Sequence, residues 1–185
     1  MLLPYDQAMR FIDGYKAVLL RVLADAGTPL TDSIEQDLID ARALAHADPE
    51  RVNAALDGLA AENETVEPTV VAAIRTLRLG QWIYLRHGKT FAVFLDKSNR
   101  NAYAVRALTT PLNELVDEPP FLLETGLIEF EGHFICDGLV RNPIRLGSGY
   151  RSQLNAAYTH IRKQGNFHAR PADPTRLIAR KPAGS

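Results

Sequence analysis

Apolar residues recur at helical spacing through the first third of the chain. A helix is predicted over residues 5–26, because its apolar side chains form one wide stripe. A second helix is predicted from residue 31 or 32, and a third over residues 48–61, where Asp48-Pro49 is a typical helix start. These amphipathic helices predict a small N-terminal bundle. The acidic side chains of the second helix are assigned to its solvent face: Asp32, Glu35, Asp37 and Asp40.

A fourth helix is predicted from residue 67 to Gly80, and the chain then turns to aromatic and β-branched residues. Gly88-Lys89 fits a two-residue hairpin loop between the segments QWIYLRH and TFAVFLD. Further strands are predicted in AYAVRAL, FLLETGLIEF and HFICDGLV, with one short helical turn at residues 110–115. The pattern predicts an α+β fold, in which an N-terminal helical bundle packs with a small antiparallel β-meander or barrel closed by a C-terminal helix.

The formal net charge of -1 hides two oppositely charged ends. Residues 1–67 contain 5 basic and 13 acidic side chains, whereas residues 139–185 contain 9 basic and 1 acidic. We expect an acidic helical region over residues 1–66, a β-rich domain with its closing helix over 67–165, and an extended basic tail over 166–185. Opposite charges favour contact between the two ends, within one chain or between two copies, and a basic tail can also bind nucleic acid.

Composition and motif spacing argue against several classes of protein. The single cysteine cannot form an intramolecular disulfide, and neither a targeting sequence nor a membrane-spanning run is recognised, so we expect a cytoplasmic protein without membrane contact. Glycine-rich phosphate loops and a GxSxG motif do not occur, and the charged residues alone indicate no catalytic pair. Neither a metal nor a cofactor is expected, because the histidines lack ligand spacing: His46, His87, His133, His160 and His168.

The stretch EGHFICDG places the only cysteine near a histidine and an aspartate, a combination that nucleophilic enzymes use. Glu131-Gly132 fits a two-residue turn, which sets Phe130 opposite His133. Alternation along the strand then places Cys136 and His133 on opposite faces, so we predict that Cys136 packs as a small buried apolar residue. Asp137, at the exit of the strand, is expected to cap the turn or to bind a nearby arginine, such as Arg141 or Arg145.

One ligand site is predicted, in the stretch RLGSGYR. Apolar residues recur at helical spacing from Tyr150 to Ile161, so a helix should begin near this stretch. The positive end of a helix favours an anion, and the candidate binding residues there are Arg145, Ser148, Gly149 and Arg151. The anion is either a carboxylate of the protein itself, from the acidic helices or from Glu124 and Glu129, or a phosphate or carboxylate ligand.

The run LLETGLIEFEGHFICDGLV resembles a pattern of uncharacterised bacterial proteins, in which an apolar strand, a Phe-x-Gly turn, a second strand and Asp-Gly-Leu follow one another. The residues that carry it are Phe130, Gly132, Ile135, Asp137, Gly138 and Leu139. The resemblance covers about a tenth of the chain and implies a shared structural module, without an activity.

Together these patterns favour a non-catalytic cytoplasmic binding or adaptor protein that acts through protein contacts, either with a protein partner or by self-association. Two alternatives stay open. The first is a nucleic-acid-binding protein that uses the basic C-terminal part, and the second is an enzyme whose site is assembled only by folding.

Overall fold

The computed structural model describes residues 2–172 of the chain. The helices are α1 (Tyr5–Asp25), α2 (Ile34–Ala47), α3 (Glu50–Ala61), α4 (Pro68–Ile74), α5 (Leu112–Val116) and α6 (Ser148–Lys163). The strands are β1 (Arg78–His87), β2 (Ala92–Asp96), β3 (Ala102–Arg106), β4 (Phe121–Phe130), β5 (His133–Cys136), β6 (Arg141–Arg145) and β7 (Phe167–His168). The predicted α+β fold, with its helical N-terminal part, is confirmed.

Helix α2 begins later than the sequence predicts. Its N-cap is Ser33, whose hydroxyl accepts a hydrogen bond from the Gln36 N–H at 3.3 Å. The assignment of Asp37 to the solvent face is wrong, because this side chain is only 3% exposed. Its carboxylate accepts hydrogen bonds from the N–H of Thr31 at 3.0 Å and from the Thr31 hydroxyl at 2.8 Å. Asp37 therefore ties the segment before α2 to the helix.

Strand β1 begins earlier than predicted. Helix α4 ends at Ile74, and Gly80, expected as its stop, lies inside β1, where it pairs with Thr125 of β4. Pairing with β4 therefore overrides the local helical pattern before Gly80, because tertiary contacts commonly outweigh intrinsic helix propensity. The loop from β1 to β2 is also longer than predicted and spans residues 88–91, with the Gly88 N–H donating to the Phe91 carbonyl at 3.1 Å.

Five strands form a ring in the order β1, β2, β3, β5, β4, which closes because β1 pairs with both β2 and β4. The sheet is mixed, because β3 runs parallel to both β5 and β7. The sequence had predicted antiparallel pairing. Strand β6 was not predicted; it pairs with β4 and is exposed along most of its length. Pro143 within it has no N–H, and Asn142 has a φ of 48°, so its outer edge is irregular.

Buried apolar side chains form three clusters around this ring. One fills its interior and includes Phe94 and Phe134. A second lies between helices α1 to α4 and the outer face of β4 and β5, where Ile128 and Ile135 are completely buried. A third lies under α6, on the outer face of β1, β2 and β3. The helical part and the ring therefore share a core.

The β4–β5 hairpin has the predicted register. Phe130 pairs with His133, and Leu127 pairs with Cys136. Gly132 in the turn has a φ of 71°, a conformation that favours glycine. Cys136 is buried inside the ring, as expected from its position on the strand.

Candidate functional site

Asp137, directly after β5, is the centre of a buried hydrogen-bond network. Its carboxylate accepts hydrogen bonds from Arg42 Nη1, which lies 2.9 Å from Oδ2 and 3.1 Å from Oδ1. The other donors to it are the Thr125 hydroxyl at 3.0 Å, the Tyr15 hydroxyl at 3.4 Å, and the backbone N–H groups of Leu139 at 3.1 Å and Gly126 at 3.3 Å. The carboxylate therefore joins α1, α2, β4 and the exit of β5.

Of the two roles expected for Asp137, capping of the turn is confirmed, because Oδ1 accepts a hydrogen bond from the Leu139 N–H at 3.1 Å. The other role, binding of Arg141 or Arg145, is wrong. Both arginines lie on β6, where Arg141 approaches Glu124 at 3.9 Å and Arg145 pairs with Asp117. The Asp137 side chain is buried between the helices and β4, and the arginine that reaches it comes from α2.

Arg42 has no solvent-exposed surface. Its Nη1 group also donates to the Leu139 carbonyl at 2.6 Å, while Nε and Nη2 have no hydrogen-bond partner within residues 2–172. The sequence contained one sign of this burial. Arg42 shares a helix face with Leu38 and Ala45, and an arginine on an apolar helix face indicates a buried charge.

The environment of this network disfavours ionisation of its weak acids. Burial raises the pKa of Tyr15 well above its ordinary value, and the nearby Asp137 charge raises it further. Burial likewise raises the pKa of the Cys136 thiol to about 12, although the Thr125 hydroxyl, 3.2 Å from Sγ, opposes this. Burial also raises the pKa of Asp137, against the opposing charge of Arg42. At neutral pH the thiol is protonated, and the thiolate is the reactive form of cysteine.

An apolar pocket of about 230 Å³ lies beside this network, between α1, α5 and the segments that follow β3 and β5. We call it the α1/α5 pocket. Its base includes the buried residues Tyr15, Cys136 and Asp137. The exposed side chains on its rim are Lys16, Thr109 and Thr110. Its apolar walls include Phe11, Ile12, Leu19, Leu112, Leu115 and Leu139.

The residues of the predicted anion site lie together at the start of α6. The N-cap is Gly147, so Ser148 and Gly149 open the first turn. Arg145 pairs with the carboxylate of Asp117, and Arg151 Nη2 donates to the Pro119 carbonyl at 2.6 Å. The two cations therefore contact the segment before β4, and binding of a separate anion there stays a prediction.

The two glutamates proposed as internal partners lie elsewhere. Glu124 approaches Arg141, and Glu129 pairs with Arg78 of β1. The carboxylate that Arg145 does contact belongs to Asp117, which the sequence did not single out. The last residues of the predicted basic tail, 173–185, lie outside the described part of the chain.

Other kinds of site are not found in the part of the chain that the structure describes. Residues 2–172 contain no group of three or more His, Cys, Asp or Glu side chains that could hold a metal ion. None of the helices in the same range has the length and apolar character needed to cross a bilayer.

No family model matches this chain, and no curated protein or solved structure matches it. The hairpin pattern therefore assigns no family, and the α1/α5 pocket with the Asp137 network beneath it is the site on which a functional argument rests.

Proposed function

We propose that this protein is a non-catalytic binding protein that acts through protein contacts, and that an apolar side chain of its partner enters the α1/α5 pocket. The observation that carries the proposal is the construction of the pocket. Its walls are apolar, its rim is exposed, and the polar groups at its base already bond to one another. Such a pocket gains binding free energy by removing apolar surface from water.

The chemistry of the base supports binding rather than catalysis. The Cys136 thiol is protonated at neutral pH, so it is a poor nucleophile. The Asp137 carboxylate is occupied by Arg42 and by the Thr125 hydroxyl, whereas a general base needs a free oxygen within reach of a substrate proton. Neither group has the arrangement that an acid–base or nucleophilic mechanism requires.

Exposed apolar surface continues from the pocket onto the protein surface. Leu115 in the pocket wall is 41% exposed, and Leu38 in the wall formed by α2 is half-buried. Ile34 lies one helical turn before Leu38 and is exposed, so it extends the same face. A pocket for one side chain, surrounded by further apolar contacts, is typical of the centre of a protein–protein interface.

A cytoplasmic location is part of this proposal. The single cysteine is free and buried, which agrees with a reducing compartment, where disulfides are rare. Cell fractionation with an antibody to the protein tests the location directly, and recovery in an oxidising compartment would contradict it.

Nucleic-acid binding is the second candidate, because α6 carries Arg151, His160, Arg162 and Lys163 and no acidic residue. OB folds also contain five strands and bind oligonucleotides on the face of the second and third strands, although such a comparison is an analogy of fold alone. In this protein the outer face of β1, β2 and β3 packs under α6. The candidate surface is therefore the solvent side of α6.

Fluorescence anisotropy with labelled single-stranded RNA and DNA at low salt tests this second candidate. Binding that weakens steeply as salt is added, and that weakens further on Arg162→Gln/Lys163→Gln, would support it. Absence of binding at low salt would exclude it.

A photo-reactive phenylalanine analogue at position 110 tests the protein-contact function in living cells. Thr110 is exposed on the rim of the pocket, so we expect a light-dependent cross-link to a discrete protein. The same analogue at Ser152, which is exposed on α6, is the matched control. The cross-linked protein is then identified and purified for a direct binding measurement.

Calorimetric titration of that partner gives the decisive comparison. Thr110→Trp places a ring at the mouth of the pocket and should raise Kd at least about fivefold, whereas Ser152→Trp should leave it unchanged. The same Kd for both variants, or no cross-link specific to position 110, would contradict the proposal.

A further inference from the structure

The charge on the rim of the α1/α5 pocket indicates the chemistry of its ligand. Of the described residues that line it, Lys16 and Asp137 carry charge. The charge of Asp137 is offset by Arg42, whose Nη1 lies 2.9 Å from Oδ2. Lys16 is exposed and forms no ion pair with any residue in the range 2–172. The pocket therefore has on its rim one cation that is not engaged in an ion pair within the described residues.

The volume of the pocket limits the apolar part of the ligand. A dry cavity of about 150 Å³ in a protein core accommodates benzene. The α1/α5 pocket, at about 230 Å³, has room for one aromatic ring or one branched alkyl group with a few further atoms. A long acyl chain would extend out of it.

The rim also contains neutral hydrogen-bond donors. The hydroxyl groups of Thr109 and Thr110 are on the exposed rim that also includes Lys16. An ammonium group and hydroxyl groups together suit a carboxylate, which accepts several hydrogen bonds. A phosphate monoester carries about two negative charges at neutral pH, and a single lysine would offset only half of that charge.

We propose that the α1/α5 pocket binds a carboxylate joined to an apolar group about the size of one ring. The apolar group packs between α1 and α5, and the carboxylate binds Lys16. This inference rests on the proposed function for the location of the site, and it names the chemistry that the partner presents. A protein supplies it at a C-terminal apolar residue, and a small aromatic or branched acid supplies it as a free molecule.

Nuclear magnetic resonance of the full chain, with labelled methyl groups, tests the inference with N-acetylphenylalanine as the probe. The neutral amide of the same compound is the matched control. We expect the probe to shift the methyl signals of Ile12, Leu115 and Leu139. The acid should bind about fivefold more tightly than the amide, which is the effect of one partly exposed ion pair.

Lys16→Met assigns that preference to a residue. The substitution removes the charge of an exposed side chain and keeps its apolar stem, so the fold should be retained. We expect the variant to bind the acid and the amide with equal affinity. Equal affinity for acid and amide in the original protein, or an undiminished preference for the acid in Lys16→Met, would overturn the inference.

A ten-residue peptide ending in phenylalanine distinguishes the two sources of the ligand. A Kd below that of N-acetylphenylalanine identifies a protein C-terminus, and an equal or higher Kd identifies a free acid. A Lys16-dependent preference for the acid without any cross-link from position 110 would support the carboxylate site and contradict protein contact. A cross-link from position 110 without a preference for the acid would support protein contact and contradict the carboxylate site.

Discussion

Two arginine–aspartate pairs in this protein have the same chemistry and opposite surroundings. Arg42 and Asp137 lie 95 residues apart in sequence, and neither side chain is exposed. Arg145 and Asp117 are 59% and 71% exposed. When one member of the exposed pair is removed, water can solvate the charge that is left. When one member of the buried pair is removed, the charge that is left has neither a partner nor water around it. Removing one partner should therefore be costly in the buried pair and nearly neutral in the exposed pair.

The buried pair also determines the base of the candidate site. The Asp137 carboxylate bonds to the Tyr15 hydroxyl and holds the exit of β5, and both Tyr15 and the residues after β5 line the α1/α5 pocket. In the exposed pair, Arg145 is the last residue of β6, just before α6, and Asp117 directly follows α5. Changes in the buried pair should therefore affect both stability and the pocket, and changes in the exposed pair should affect neither strongly.

Arg42→Met should give the largest effect. It leaves the Asp137 carboxylate buried without a cation, and the free energy of unfolding should fall by about 3–5 kcal/mol. Urea denaturation followed by circular dichroism measures the change. Arg51→Met is the control, because Arg51 Nε forms an exposed ion pair with Asp48 Oδ2 at 3.6 Å. The free energy of unfolding of this variant should fall by less than about 1 kcal/mol. Equal losses in the two variants would remove the distinction between buried and exposed pairs.

Gly126→Ala should give an intermediate effect by displacing the aspartate without changing any charge. A methyl group at this position would lie 2.3 Å from Asp137 Oδ2 and 2.6 Å from Leu77 Cδ1. We expect a loss of about 1–3 kcal/mol in the free energy of unfolding, the usual result of overpacking a core. In Gly149→Ala the methyl group meets open space within a helix, so that control should be neutral or slightly stabilising. A neutral Gly126→Ala would show that the carboxylate position is not fixed.

Arg145→Gln should give the smallest effect. The exposed pair with Asp117 should contribute less than about 1 kcal/mol to the free energy of unfolding. The difference from the original protein should shrink further in concentrated salt, because screening weakens exposed pairs. Urea denaturation at two salt concentrations measures both values. A loss that is larger than 1 kcal/mol and independent of salt would mean that this pair acts like the buried one.

Local patterns were sufficient to predict the long helix α1 and the β4–β5 hairpin. The stripe of α1 is regular, and the Glu131-Gly132 turn together with strand alternation fixed which residues face the ring interior. That register was enough to separate Cys136 from His133 and to predict a packing role for the cysteine. These features depend on residues close together in sequence.

Features that depend on distant residues could not be predicted in the same way. The partner of Asp137 comes from a helix 95 residues earlier, and nothing in the local sequence of either residue specifies the other. The parallel pairing of β3 with β5 requires the chain to pass through β4 first. The α1/α5 pocket is likewise assembled from separate segments of the chain, so its residues carry no common motif.

Strand β6 also limits how copies of this chain can associate. Its outer edge contains a proline, which cannot donate a hydrogen bond, beside a residue in the left-handed region. A second chain that approached this edge would find an interrupted ladder and could not extend the sheet. Growth of fibrils by strand addition at this edge should therefore be disfavoured, even in concentrated solution.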